Sequence, residues 1–313
     1  MILTVVPNPS LDKTVVVSHF ALGKIHRPGE VLTLAGGKGF NFARALRVLG
    51  ERSLLIGPIG GSTGQYFLDL AARDALECAP LLVKTEVRSC LTIIDPAADN
   101  RLTELYERGA ALAEGEWGRL VELTASHFAE ANFLVVCGSF PAGVPARGLY
   151  DLTLKARVAN LPVLLDTYGP QLEGVLELGP ALLKINQFEA GELTGRAIAT
   201  PDQAIAAATD LQRRGVREVV VTLGKQGAVG LTFEGQAFGW RAPEVVAISA
   251  TGSGDCLFAG IAASLTRGQS LQEAVRWGVA SGAANTLQIG AGRLELDEVQ
   301  RLFQRVQPLM LHP

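Results

Sequence analysis

Chemistry is concentrated in three short stretches of this chain. Ala250-Thr251-Gly252-Ser253-Gly254-Asp255 runs into an apolar segment where Leu257, Phe258, Ile261 and Leu265 recur at helical spacing. Two glycines around one small residue permit a tight turn and close backbone approach to a ligand. The free N–H groups of a helix start favour an anion there, phosphate above all. Gly252, Ser253 and Gly254 would form that anion site, and Asp255 in the first turn would serve as a base beside it. The same pattern also describes an ordinary helix start with Asp255 as its cap. Earlier, Ala35-Gly36-Gly37-Lys38-Gly39-Phe40-Asn41 feeds a helical pattern over 42–49 that Gly50 stops. It is neither a Walker A loop nor GxGxxG; its glycines let backbone touch a small hydroxylated substrate, with Lys38 as point charge and Asn41 as donor and acceptor. Third, Asn186-Gln187-Phe188-Glu189 sets two oxygen-bearing side chains at i and i+3. That suits Mg²⁺ held through water beside a triphosphate, or a capping box.

Such residues need elements that bring distant strand ends together. The apolar run 2–6 reads as a first strand, with Asp12 just past its C-terminal end as a ligand-facing acid or an Asx-turn residue. Short β-branched runs at 14–18, 29–34, 88–95 and 102–106 lie outside the later rhythm and predict a small β lid from inserted segments at about 14–35 and 88–107. From residue 54 the chain alternates strand and helix. Strands over 54–57, 133–137, 163–166, 181–185 and 219–223 interleave with helices over 64–76, 147–158, the segment opened by Thr200-Pro201-Asp202-Gln203, and 271–287 behind Ser270. Repeated βα units with near-continuous apolar strands predict an α/β fold, a mostly parallel central sheet with helices on both faces, as one domain over 1–313. Asp12, Gly138-Ser139, Asp166, Asn186, Thr222, Gly224 and Asp255 would then share the sheet edge where such folds bind ligands.

Composition narrows the classes. With 313 residues, 48% hydrophobic and 19% charged, the chain is long enough for a large buried core. A net charge of −3 and no Lys/Arg-rich run argue against nucleic acid or an anionic membrane as partner. Cys78, Cys90, Cys137 and Cys256 lack metal or CxxC spacing, and His19, His26, His127 and His312 do not cluster, which argues against zinc. Reduced thiols and an apolar start without a basic leader fit a cytoplasmic protein.

Taken together, Gly36-Gly37-Lys38-Gly39-x-Asn41, Asn186-x-x-Glu189 and Thr251-Gly252-Ser253-Gly254-Asp255 resemble, in order, the three signatures of the ribokinase/PfkB carbohydrate kinases. Ser253 stands at the usual alanine of the last. The opening stretch from Thr4 to Lys13, Gly138-Ser139-Phe140-Pro141-x-Gly143-Val144 and Asp166-Thr167 are similar to the phosphosugar branch of that family, which includes 1-phosphofructokinase and tagatose-6-phosphate kinase. Two positions depart from the branch: Cys90 where Arg-x-Asn has asparagine, and Arg108 where Glu-Pro-Gly has proline.

The resemblance implies a ribokinase-like fold and ATP-dependent phosphorylation of a phosphorylated ketohexose, fructose 1-phosphate, fructose 6-phosphate or tagatose 6-phosphate. Asp255 would be the base and Gly252 to Asp255 the anion hole. Asp12, Gly37, Asn41 and Ser139 would hold the sugar. Lys38 and Arg88, with Arg27 and Arg101 as further candidates, would meet the sugar's own phosphate. Lys184, Asn186, Thr222, Gly224, Gly227 and Asn285 would line ATP, and Asn186 with Glu189 would hold Mg²⁺ through water. A monovalent-cation requirement stays open, and a homodimer through the lid is implied. An unphosphorylated sugar or nucleoside is the alternative acceptor, set by Cys90 and Arg108. A non-catalytic sugar-binding protein and a nicotinamide-dependent enzyme are more distant readings.

Overall fold

The computed structural model describes residues 1–311, so His312 lies outside the described residues. The main sheet has ten strands. From one edge they run Glu77–Cys78, Ser53–Ile56, Ile2–Val5, Phe133–Cys137, Val163–Asp166, Leu182–Asn186 and Glu218–Thr222, all parallel. Three antiparallel strands, Ala228–Leu231, Ala237–Arg241 and Gln307–Pro308, complete it; this antiparallel edge was not anticipated. The central parallel strands are buried on both faces, which is why Ile2–Val5 and Val163–Asp166 read as unbroken buried runs. The chain first builds outward from Ile2–Val5 and later returns to its other side with Phe133–Cys137. Strand order therefore reverses between these two, the position at which open α/β sheets leave a crevice.

Two apolar clusters cover the faces. On one, the helix Ser253–Thr266 lies against Leu271–Asn285 and Lys38–Val48, and nearly all of it is buried. On the other, Gly148–Val158 and Pro201–Arg213 pack over Leu3, Val136, Leu165 and Ile185. The expected capping box at Thr200 is present, with Pro201 at the first turn. At Ser270 only the hydroxyl half of the box forms, accepting from the Glu273 N–H.

The lid is a separate four-stranded sheet ordered Glu30–Gly36, Ser10–Val16, Arg88–Asp95, Arg101–Tyr106. Its first strand begins at Ser10, four residues ahead of the expected 14, so Asp12 sits on a lid strand and not past the end of a main-sheet strand. Cross-strand partners share a face. One face carries the rows Leu34–Asp12–Cys90–Tyr106 and Leu32–Thr14–Thr92–Glu104; the other carries Val31–Val15–Ile93 and Leu91–Leu105. The first face meets the main body, where the Thr251 hydroxyl donates to Glu104 Oε1 at 3.1 Å and Tyr106 donates to the same oxygen at 2.6 Å.

Candidate active site

The helix Ser253–Thr266 starts at Gly252, whose φ of +82° lies in the left-handed region that glycine adopts without strain. A side chain there would also strike Ala291, with a Cβ only 2.6 Å from its methyl carbon. Within the turn, the Ser253 N–H donates to Ala250 O and the Asp255 N–H to Gly252 O. The Gly252 and Gly254 N–H groups find no protein acceptor among the described residues and are left for a ligand. Lys184 reaches this turn from its strand, its Nζ 3.0 Å from where a Gly254 Cβ would sit.

Asp255 is buried, and its Oδ2 accepts from Asn41 Nδ2 at 2.9 Å. Burial pushes its carboxyl up to about 7 and the nearby Asp166 charge adds to the effect, against Lys38, Lys184 and the Asn41 hydrogen bond. Asp166, 1% exposed, bridges two ammonium groups, accepting from Lys38 at 2.8 Å and from Lys184 at 2.9 Å. Burial works to raise this carboxyl too, but the two lysines hold it below the ordinary carboxylate value. Lys38 also lies 3.6 Å from Glu189 Oε1. Although burial opposes its charge, Asp166, Glu189 and Asp255 keep the ammonium above its usual range. Lys38, expected at the sugar's own phosphate, is bonded to Asp166 beside Lys184.

Asp12 is held from two sides, by the Ser10 hydroxyl at 2.6 Å and by the Gly37 N–H at 3.2 Å. Burial raises its carboxyl despite these bonds. Gly36 packs directly on this carboxylate, and a Cβ would lie 2.1 Å from it. Asn8 ties the next residues together: its Nδ2 donates to the Ser139 hydroxyl at 3.1 Å, and its carbonyl accepts from Arg88 Nη2 at 3.3 Å. Arg88 Nη1 donates to Glu107 O, while its buried Nε has no partner among the described residues. Gly109 leaves room for Asn8, whose Oδ1 would be 2.2 Å from a Cβ there. Cys90 is buried directly across from Asp12, and Arg108 is exposed. Arg27 and Arg101 are also exposed. Arg101 faces Asp95, five residues along the strand from Cys90 and so about 17 Å from Asp12's row.

Asn186 and Glu189 form a full capping box: Asn186 Oδ1 accepts from the Phe188 and Glu189 N–H groups, and Glu189 Oε2 from the Asn186 N–H. The box leaves Glu189 Oε1 facing Lys38 and the Asp166 cluster. Among the described residues no three or more His, Cys, Asp and Glu side chains are grouped to enclose a metal. One available carboxylate oxygen fits Mg²⁺, which keeps most of its waters. Thr222 lies opposite Asn186 at the same sheet edge, followed by Gly224.

Two residues expected to line the nucleotide are held by packing and hydrogen bonds within the chain. Gly227 has φ +107° and a Cβ there would lie 2.0 Å from Trp240 O, so hairpin packing accounts for this glycine. Asn285 is fully buried; its Nδ2 donates to Thr251 O and Ser253 Oγ, and its Oδ1 accepts from the Arg293 N–H. These bonds brace the Thr251–Ser253 turn. The residue missed altogether is Arg44, buried behind Asn41 and bonded to it. A charge inside the apolar helix, three residues after Asn41, was the available signal.

A helix N-terminus with open N–H groups, a buried carboxyl raised to about 7 and two lysines joined through Asp166 suit a small-molecule phosphotransferase of ribokinase-like fold. Residues 8–297 match the pfkB family carbohydrate kinases. The 1-phosphofructokinase of Bacillus subtilis (strain 168) is 31% identical over 307 residues, spanning 98% of this chain and 99% of that protein. The ATP-dependent 6-phosphofructokinase isozyme 2 of Escherichia coli (strain K12) is 33% identical over 305 residues, 96% of this chain and 97% of its own. A crystal structure of phosphofructokinase-2 from Escherichia coli in complex with substrates and products superposes with a TM-score of 0.88 at 32% identity, covering 97% and 98% of the two chains. The chain belongs to the pfkB family and is a carbohydrate kinase.

Proposed function

We propose that this kinase transfers the γ-phosphoryl group of ATP to a hydroxyl of a phosphorylated ketohexose. Asp255 takes the hydroxyl proton as the acceptor oxygen bonds to the γ-phosphorus. The bond from that phosphorus to the β–γ bridging oxygen then breaks and ADP leaves. The Gly252 and Gly254 N–H groups, with the helix dipole behind them, receive the charge on the transferred group, and Lys38 and Lys184 flank it. Asp12, Asn41 and Ser139 hold the sugar, and acceptor-only Asp12 discriminates against an epimer that cannot donate to it. Arg88 meets the sugar's own phosphate. Asn186, through its capping box, and Glu189 would hold Mg²⁺, which supplies neutralising charge to the triphosphate when bound. Thr222 and Gly224 lie on the nucleotide side.

The observation that carries this reading is the 2.9 Å bond from Asn41 to Asp255, which joins the hydroxyl-binding loop to the base at the anion hole. The phosphosugar acceptor is supported by the branch-like opening, by the names of the relatives and by the unpartnered Nε of Arg88. The same lid builds a homodimer in this reading, supported by the exposed apolar side chains Val31 and Leu105 on its outward face. No helix among the described residues is long and apolar enough to cross a membrane, and the proposed location is the cytoplasm. The test is a kinase assay with fructose 1-phosphate, fructose 6-phosphate, tagatose 6-phosphate, ribose and adenosine, with and without potassium. At least one ketohexose phosphate should be the preferred acceptor; turnover of uncharged acceptors alone would reject the phosphosugar assignment.

A further inference from the structure

Arg44 is 7% exposed and spends its guanidinium on four groups. Nε donates to Asp74 Oδ2 at 2.7 Å, Nη1 to Asn41 Oδ1 at 3.3 Å and to Ala291 O at 3.1 Å, and Nη2 to Ala35 O at 2.6 Å. These partners belong to the end of the helix Gly61–Arg73, the helix Lys38–Val48, the loop that backs Gly252 and the end of the lid strand. That loop presses on Asn41 itself, since a Cβ on Gly292 would lie 2.5 Å from Asn41 O.

A guanidinium has donors and no acceptor, so Asn41 can offer it only the amide oxygen. The amide nitrogen then has one direction left, toward Asp255 Oδ2. A side-chain amide without such a neighbour can turn over, and its oxygen would accept a hydrogen bond from a protonated Asp255. One orientation favours the carboxylate and the other the neutral acid. We infer that Arg44 is a positioning residue for phosphoryl transfer, holding the Asn41 amide with its nitrogen toward Asp255 so that the base is kept in its working form. The inference deepens the kinase reading and rests on it for its kinetic measurement.

The test compares the acid limb of kcat/KM against pH in wild type, Arg44→Met, Arg44→Lys, Asn41→Ala and Arg44→Met/Asn41→Ala, alongside a carboxyl-carbon NMR titration of Asp255 in each. Arg44→Met should move the limb and the titration upward by about 0.5–1 pH unit. Arg44→Lys, still a pure donor, should restore most of that shift, and on the Asn41→Ala background Arg44→Met should add none. Asp74→Asn, which removes an ion-pair partner without touching the amide, should leave the limb in place. An Arg44→Met enzyme slowed equally at every pH, or a further shift on the Asn41→Ala background, would overturn the inference. Should Arg44→Met fail to fold, Arg44→Lys decides: a limb at the wild-type position supports the role, and one at the Asn41→Ala position refutes it. If none of the acceptors turns over, the kinase reading fails, and the NMR titration still decides the role of Arg44.

Discussion

Asp255 and Asp166 are both buried carboxylates, and burial works to raise both. Asp166 has two ammonium groups in hydrogen-bond contact that hold it ionised, whereas at Asp255 burial, reinforced by the Asp166 charge, outweighs Lys38, Lys184 and the Asn41 bond and takes the carboxyl to about 7. A base with that value accepts a proton at neutral pH and still releases it. The rate should therefore rise with pH through about 7 as Asp255 loses its proton. Asp255→Asn should lower kcat by about 10²–10⁴-fold while sugar binding, measured calorimetrically, stays near wild type. The same substitution should stabilise the fold. Because the folded value is raised above the unfolded one, wild-type Asp255 favours folding in acid, and that contribution is lost as pH rises toward 7. The gain in Tm from Asp255→Asn should thus be larger at pH 8 than at pH 5. Asp166→Asn should destabilise the fold, leaving the buried Lys184 and half-buried Lys38 ammonium groups short of a counter-charge at a cost of about 3–5 kcal/mol in denaturant unfolding.

At the scale of elements, the site is made from helix starts placed at one sheet edge. The start at Gly252 is half-buried, and its Gly252 and Gly254 N–H groups have no protein acceptor among the described residues. Asn186 and Glu189 show that the capping and ligand readings are compatible: the box uses one Glu189 oxygen and turns the other toward Lys38. Gly227 separates conformation from binding. Gly227→Ala combines a left-handed φ with a clash against the Trp240 carbonyl, so it should cost about 1–3 kcal/mol of stability. The KM for ATP of the surviving folded fraction should stay within about threefold of wild type, an order-of-magnitude limit for lost ligand contacts under ~1 kcal/mol; a much larger rise in KM would return this glycine to the nucleotide.

For the whole molecule, the lid divides its labour between two faces. The inward face carries Asp12, Cys90 and Glu104, and the last is tied to Thr251 beside the anion hole. Seating the lid and shaping the turn are thereby joined by one hydrogen bond. The outward face exposes more than half of Val31 and of Leu105, at 54% and 56%. If the proposed lid dimer forms, Val31→Glu with Leu105→Glu should convert it to a monomer in light scattering, since burying two unpaired carboxylates across an apolar contact is unfavourable. An unchanged molar mass would remove the lid from the interface.

Sequence alone determined the α/β class, the strand ends that converge and the three glycine- or asparagine-bearing motifs, because apolar periodicity and turn chemistry are local. It placed the Thr200 cap for the same reason. Tertiary structure decided what depends on partners far along the chain. Asp12 became a lid residue because its strand pairs with Arg88–Asp95, and Lys38 turned to Asp166, 128 positions away. Asn285 became a brace because the loops of Thr251 and Arg293 both reach it. Arg44 gained its place only once Ala291, 247 positions on, closed over it. A side chain's type is written in the sequence, but which way its charge faces is set by packing.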